Sequence, residues 1–369
     1  MIPSSSTAAA SPGDAAPRRR LIVHIGVQRT ATTTLQSFLK ANVPALAARG
    51  VLYPYGVARH KRLANRLFNG ALDPLEAARD MTERADAREA ATGRPIDALL
   101  ISDEDICVRL DMAPFEAMRE VFDLRVVYAL RRQDLWLESW YLQNVKWQWN
   151  RHLRRLTFDQ FLAEADRFAW IDYDARMRRI EAAFGTDAAR PYVFETAAMP
   201  DGPVAAFAQA AGLDLAGLPT PPAHANASLS PRMTELLRRL PLHEAPPALR
   251  GKLVEAARAA EAEQSARLGP PPSRLLSPEK RAQILDRHAE GNAALARRRF
   301  GRDALFLDPP TDPAEPVADP RLPSDAEALL ADYVAPLFRA LIAQAQEQTP
   351  AAAPQPRMEV PLGVEDGRD

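Results

Sequence analysis

Residues 21–34, LIVHIGVQRTATTT, run from an apolar strand through a loop of small and hydroxyl-bearing residues into the start of a helix. Leu21, Ile22 and Val23 suit an inner parallel strand, which is apolar on both faces. Gly26 permits a tight turn out of it. Leu35, Phe38, Leu39, Val43 and Leu46 then follow the helical period, and Gly50 closes the stretch. The loop Gln28, Arg29, Thr30, Ala31, Thr32, Thr33 and Thr34 therefore sits at a helix N-terminus. Unpaired N–H groups and the positive end of the helix dipole converge there, which favours a bound phosphate or sulfate. A chain built around this unit is expected to be α/β, three-layered, with a mostly parallel central sheet.

The phosphate loop of nucleotide-hydrolysing proteins needs GxxxxGK[ST], and Ala31 and Thr32 stand where its second Gly and Lys belong. Without the Lys that reaches the β- and γ-phosphates, an ATP-dependent kinase loses a main electrostatic element. The cation here is Arg29. A second strand pattern, Leu124–Leu130, runs into Arg131-Arg132-Gln133-Asp134, with Ser139 eight residues beyond Arg131. An Arg fork grips a dianionic phosphate bidentately and a hydroxyl adds a neutral donor. A third trace is Tyr192–Glu195, YVFE, followed by a helical stretch with Phe207 and Gly212.

Read as K-[ST]-G-T-[TS], the run Arg29-Thr30-Ala31-Thr32-Thr33 resembles the 5′-phosphosulfate loop of sulfotransferases that use 3′-phosphoadenosine 5′-phosphosulfate (PAPS). The phrase HIGVQRTATTTLQSFL is similar to the opening of the bacterial, carbohydrate-type branch. Over about residues 20–215 the resemblance implies a P-loop-like topology. It also implies that Arg131 and Ser139 hold the 3′-phosphate, and that Gln28 to Thr34 hold the phosphosulfate. NASLS at 226–230 and the stretch 276–298 are similar to bacterial members more weakly. The RKG element of animal cytosolic members is absent, with Arg238 or Arg239 as replacements to test. The implied reaction moves a sulfuryl group to a hydroxyl or amine of an acceptor, a carbohydrate or glycolipid, and releases adenosine 3′,5′-bisphosphate. No metal is implied. Arg29 cannot act as a proton donor. None is required, since the expelled phosphate monoester, with a second pKa of about 6, leaves as a stable anion. Ala31 costs about 1–2 kcal/mol only if its backbone is left-handed.

The acceptor must lose a proton. Ser102-Asp103-Glu104-Asp105 follows a short strand pattern at Leu99–Ser102, where ligands gather in open α/β sheets. Glu104 is the first candidate base, against the plain reading of a helix cap. His60, in the loop Ala58-Arg59-His60-Lys61-Arg62, is the second, read as an exposed histidine. His24 lies inside a strand pattern and reads as core. Trp136 and Trp140 are one helical turn apart and read as packing of that helix on the sheet, with substrate stacking as the alternative. Trp147 and Trp149 alternate with Lys146, Gln148 and Asn150 as in a wall for a sugar, and the basic run Arg151, His152, Arg154 and Arg155 reads first as a solvated face, with attraction of an anionic glycan or the cofactor as the alternative.

The 369 residues carry a net charge of −1, which argues against nucleic acid as a partner. Cys107 is the only cysteine, which excludes an intrachain disulfide and a thiolate-cluster zinc site. No apolar run suits a secretory signal or a membrane span, so a cytoplasmic location is expected. The expected organisation is a disordered tail over 1–19 and one α/β domain over 20–308, its core 20–214 and its helical part 224–308. A Pro-rich linker over 309–323, a helix over 324–348 and a disordered tail over 349–369 follow. Ser230-Pro231 and Ser277-Pro278 read as caps with Pro at the first helical position. Two other classes stay open: a nucleotide-binding protein of this fold that has lost transfer, and a P-loop kinase requiring ATP and Mg²⁺.

Overall fold

A computed structural model describes residues 17–221 and 228–348; the tail expectations at 1–16 and 349–369, and Asn226 and Ala227 of the NASLS motif, lie outside them. Five strands form one sheet: β1 (Arg20–His24), β2 (Val51–Leu52), β3 (Ala98–Ser102), β4 (Asp123–Leu130) and β5 (Ala189–Val193). Their order is β2-β3-β1-β4-β5 and every pair is parallel. β1 lies at the centre, with Leu21 level with Leu99 on one side and Leu124 on the other. The chain fills one half of the sheet, then crosses β1 to build the other. Ligands bind at such a reversal, outside the carboxyl ends of the strands.

Alternation along the strands supplies both faces with apolar side chains. Ile22, Leu100, Val127, Ala129 and Tyr192 meet Leu35, Phe38, Leu39, Leu46, Phe207 and Ala211 from helices Thr32–Ala41, Val43–Ala48 and Gly202–Ala211. On the other face Tyr128 meets Tyr173 of helix Tyr173–Phe184 edge-on, with ring centroids 6.1 Å apart. The result is the expected α/β architecture, a parallel sheet with helices on both sides.

Two details differ from the periodicity. The single helix expected from Leu35 towards Gly50 is two helices broken at Asn42. Pro44 opens the second; it has no N–H to continue the first. Asn42 fills the break, its amide donating to the Phe38 and Pro219 carbonyls, both at 2.9 Å. The C-terminal helix is likewise interrupted, by a π turn at Leu330–Val334 between Ala326–Leu329 and Ala335–Gln348. Pro336 follows that turn and explains it in the same way.

The chain forms two compact units. The first comprises the described residues 17–141, 156–221 and 276–317. Within it, helix Pro278–Phe300, capped by Ser277, packs on helix Tyr173–Phe184. The second comprises Leu142–Arg155 with the described parts of 227–275 and 318–369. Its core gathers Met233, Leu237, Val254, Ala257, Ala260, Tyr333 and Leu337, and Ser230 caps its helix Pro231–Arg239.

Candidate active site

The ends of β1, β3 and β4 carry the residues singled out in the sequence. The loop after β1 stays bonded to β4 through Ile25 N–H to the Val127 carbonyl (3.0 Å) and Ala129 N–H to the Gly26 carbonyl (2.7 Å). Gly26 has φ +83°, and a Cβ there would lie 2.8 Å from the Glu104 Cβ. Glycine is thus required both for backbone conformation and for the close approach of the β3 end. Arg29 and Ala31 also have left-handed backbones, φ 67° and 54°. Ala31 therefore carries the conformational cost of about 1–2 kcal/mol raised by its sequence. Such strain is characteristic of sites held by their surroundings.

Those surroundings are specific. The Trp136 indole N–H donates to the Gln28 carbonyl at 2.9 Å, the Cys107 thiol donates to Gln28 Oε1 at 3.1 Å, and the Thr30 hydroxyl donates to the Val27 carbonyl. Gln28, Thr30 and Thr32 are buried, whereas Thr33 and Thr34 are exposed on the first helical turn. Ala31, at the N-cap, offers no side-chain acceptor to the amides of that turn. An oxyanion would supply one.

Arg29, Arg131 and Ser139 converge. Arg29 Nε donates to Ser139 Oγ at 2.6 Å, and the Arg131 guanidinium donates to the Arg29 carbonyl. Arg131 is held by its own neighbours: its N–H donates to the Tyr173 hydroxyl at 3.1 Å, that hydroxyl bonds back to the Arg131 carbonyl, and the guanidinium lies 5.9 Å from the centre of the Phe194 ring. Burial lowers the Arg29 pKa, yet a guanidinium stays charged at neutral pH. Two cations, a hydroxyl and an uncapped helix start thus share one corner.

Glu104 stands at the start of a 3₁₀ turn, Glu104–Val108, after β3. Its carboxylate accepts from Gln36 Nε2 at 2.7 Å and pairs with Arg59 at 3.1 Å. Burial raises its pKa above the usual carboxylate range, against the lowering effect of Arg59 and Gln36. Arg59 also holds Asp103, through two bonds of 3.1 and 2.9 Å, and Asp105 at 2.7 Å. It sits beside His60 in the basic loop quoted above, yet the sequence did not mark it as the partner of the acidic run.

His60 is buried rather than exposed. Its Nδ1 accepts from the Ser102 N–H at 3.1 Å, so Nε2 is the protonated nitrogen and donates to the Pro54 carbonyl, also at 3.1 Å. Burial lowers its pKa. With both nitrogens bonded to backbone, the imidazole ties the 54–60 loop to β3 and has no lone pair for an acceptor proton. His24 is fully buried, bonded to Ser102 Oγ at 2.8 Å and edge-on to Phe207. Arg238 and Arg239 pair with Glu235 at 2.6 and 2.9 Å in the second unit.

A further network lies on the helix that carries Ser139. Asp134, with no exposed surface, takes two bonds from Arg132 at 2.8 and 3.0 Å and a third from Arg281. Glu138 pairs with Arg281 at 3.2 Å and accepts the Leu276 N–H at 2.8 Å. Burial alone would raise the Asp134 pKa; Arg132 and Arg281 hold it below the usual range. The signal was present in the sequence as two acids four residues apart in a tryptophan-rich helix.

No family model matches the chain. A protein of Archaeoglobus fulgidus described only as uncharacterized is 28% identical over 213 residues, covering 56% of this chain and 55% of that protein. The match therefore spans about half of each. A sulfotransferase from Alicyclobacillus acidocaldarius aligns in structure with a TM-score of 0.37 and 16% identity, over 69% of this chain and 97% of that one. Among the described residues no helix is long and apolar enough to cross a membrane, and no group of three or more His, Cys, Asp or Glu is placed to hold a metal ion.

Proposed function

We propose that the chain is a sulfotransferase that moves a sulfuryl group from PAPS to a hydroxyl or amine of a carbohydrate or glycolipid acceptor. The observation that carries this reading is the meeting of Arg29, Arg131 and Ser139 at the uncapped start of helix Thr32–Ala41. The donor set suits a nucleotide with phosphate on both sides of its ribose. Backbone amides of 30–34 and Arg29 would hold the 5′-phosphosulfate; Arg131 and Ser139 would hold the 3′-phosphate. When bound, PAPS supplies an activated sulfuryl group whose departing partner is already an anion.

The chain's own residues then have separate tasks. Arg29 and the loop amides balance the charge that gathers on the bridging oxygen and the 5′-phosphate, using groups oriented before the reaction begins. Glu104 accepts the acceptor proton; a buried carboxylate of raised pKa is a stronger base than an exposed one. Gln36 and Arg59 fix its orientation. The ring nitrogens of His60 are committed to Ser102 and Pro54, which favours Glu104 of the two candidates. Trp136, Cys107 and Tyr173 position the loop and Arg131.

Calorimetry with adenosine 3′,5′-bisphosphate tests the site, and transfer of label from PAPS tests the reaction. The Arg29→Ala variant is expected to lose more than about tenfold in turnover, equivalent to about 1.4 kcal/mol. Undiminished turnover would remove Arg29 from the mechanism. Binding of the bisphosphate without transfer would leave a nucleotide-binding protein of this fold. A requirement for ATP and Mg²⁺ would mark a kinase.

A further inference from the structure

Just beyond helix Gln133–Trp147, the second unit carries a fixed, exposed tryptophan within six residues of Arg151, Arg154 and Arg155 along the chain. The Trp149 side chain is 60% exposed, and its ring lies 5.5 Å from that of Trp147 with the planes 9° apart. Trp147 in turn packs against the core of the unit. The residue between them is buried and left-handed: Gln148 has φ 50°. That conformation is unfavourable for a residue with a side chain. The Gln148 amide offsets it, donating to the Leu237 and Leu240 carbonyls at 2.7 and 3.0 Å and accepting the His243 N–H at 3.1 Å. The indole is thus aimed outward by a built turn.

Asn150 then folds the chain back, its Oδ1 accepting the N–H groups of His152 (2.9 Å) and Leu153 (3.0 Å). This brings Arg151 and Arg155 out as exposed side chains and buries Arg154, whose relative exposure is 8%. Arg154 Nε has no hydrogen-bond partner among the described residues. Burial and the charges of Arg155, Arg151 and Arg250 lower its pKa, and Glu244 is the acid that opposes them. Arg250 is committed to the carbonyls of Trp147, Leu242, His243 and Ala245. A buried, unpartnered Nε on a guanidinium beside the like charges of Arg151 and Arg155 is a costly arrangement, relieved by an anion brought to it.

An open indole face and neighbouring guanidinium groups ask for a ligand that is flat and apolar on one side and anionic at its rim. A pyranose ring with carboxylate or sulfate substituents has that form: its C–H face packs on the indole, and its oxyanions meet the arginine forks. Nucleic acid is less well matched, because its affinity comes from a long track of phosphates, whereas this patch is one short turn. We propose that the second unit binds an anionic oligosaccharide, a sugar ring stacked on Trp149 and its acidic groups held by Arg151, Arg154 and Arg155.

Calorimetric titration of the full chain, without nucleotide, against a heparin hexasaccharide, an oligoguluronate, a dextran oligomer and oligo(dT) tests this. Because the titration involves no donor, it stands or falls separately from the PAPS reading. Binding of one or both acidic oligosaccharides, weakened at least fivefold by Trp149→Ala and by the exposed double substitution Arg151→Gln/Arg155→Gln, is the expected result. The two acidic probes separate sulfate from carboxylate recognition. Loss in the arginine variant with none in Trp149→Ala would reduce the site to plain charge attraction and overturn the proposal. So would equal binding of dextran, or tighter binding of oligo(dT). Affinity for adenosine 3′,5′-bisphosphate, unchanged in both variants, serves as the check on folding if the wild type binds it; otherwise the thermal midpoint does.

Discussion

Glu104 shows how one residue is given chemistry by three others. Gly26 lets it approach the loop, Gln36 orients one oxygen, and Arg59 balances the other. Its pKa lies above the usual range because burial disfavours the charged form more than those partners favour it. In its proposed role as base Glu104 works only when deprotonated, so that role predicts turnover falling on acidification through a pKa higher than that of an ordinary glutamate. In Glu104→Gln the rate should fall by a factor of about 100 or more and that acidic limb should vanish. A pH–rate profile of kcat/KM checks both, and an unchanged limb in the variant would assign the proton to another group. The sequence placed Glu104 at a strand end but could not weigh it against His60. The backbone groups that occupy the imidazole and favour the proposal of Glu104 come from residues 54 and 102.

Among the elements, helix Gln133–Trp147 bears most on the site. It carries Ser139 to Arg29, and Trp136 to the Gln28 carbonyl, and it is fastened by the Asp134 and Glu138 network to Arg281 on helix Pro278–Phe300. All three network side chains are nearly inaccessible. Removing one partner of such a cluster leaves charge buried without compensation, at a cost of about 3–5 kcal/mol. Arg281→Met is therefore expected to lower stability by about 3 kcal/mol or more, read as a shift of the urea midpoint. Asp134 keeps Arg132 and Glu138 keeps the Leu276 N–H, which places the expected loss at the lower end of that range. A change under about 1 kcal/mol would mean that water or rearrangement replaces the guanidinium.

At the scale of the whole molecule, the centre of the sheet makes stability depend on pH. His24 is fully buried on β1 and burial lowers its pKa from 6.5 to about 3. Between those values the unfolded chain binds a proton that the native chain does not. Stability thus rises with pH there and is lost as the pH falls below about 6.5, by about 1 kcal/mol per pH unit from this residue. Denaturant midpoints measured at pH 6 and pH 4 should differ less in His24→Gln than in the wild type, since the carboxylates contribute alike to both. Equal differences would mean that His24 is not buried neutral.

Strand, loop and helix around β1 were legible because local rules set them: an apolar run, a glycine, hydroxyl residues and a 3.6-residue period act within about 25 residues. Arg29 was legible as a cation in a helix-start loop, and Arg131 and Ser139 as anion ligands only through the resemblance to sulfotransferases; all three remain the proposed ligands. Their meeting was decided by the tertiary structure, through parallel pairing of β1 with β4 and the docking of the helix that follows. The same holds for Arg59 among its three acids and for His60 locked to backbone. Local sequence specifies which groups a chain can offer, whereas burial and partners, which set their charge and reach, come from segments distant along it.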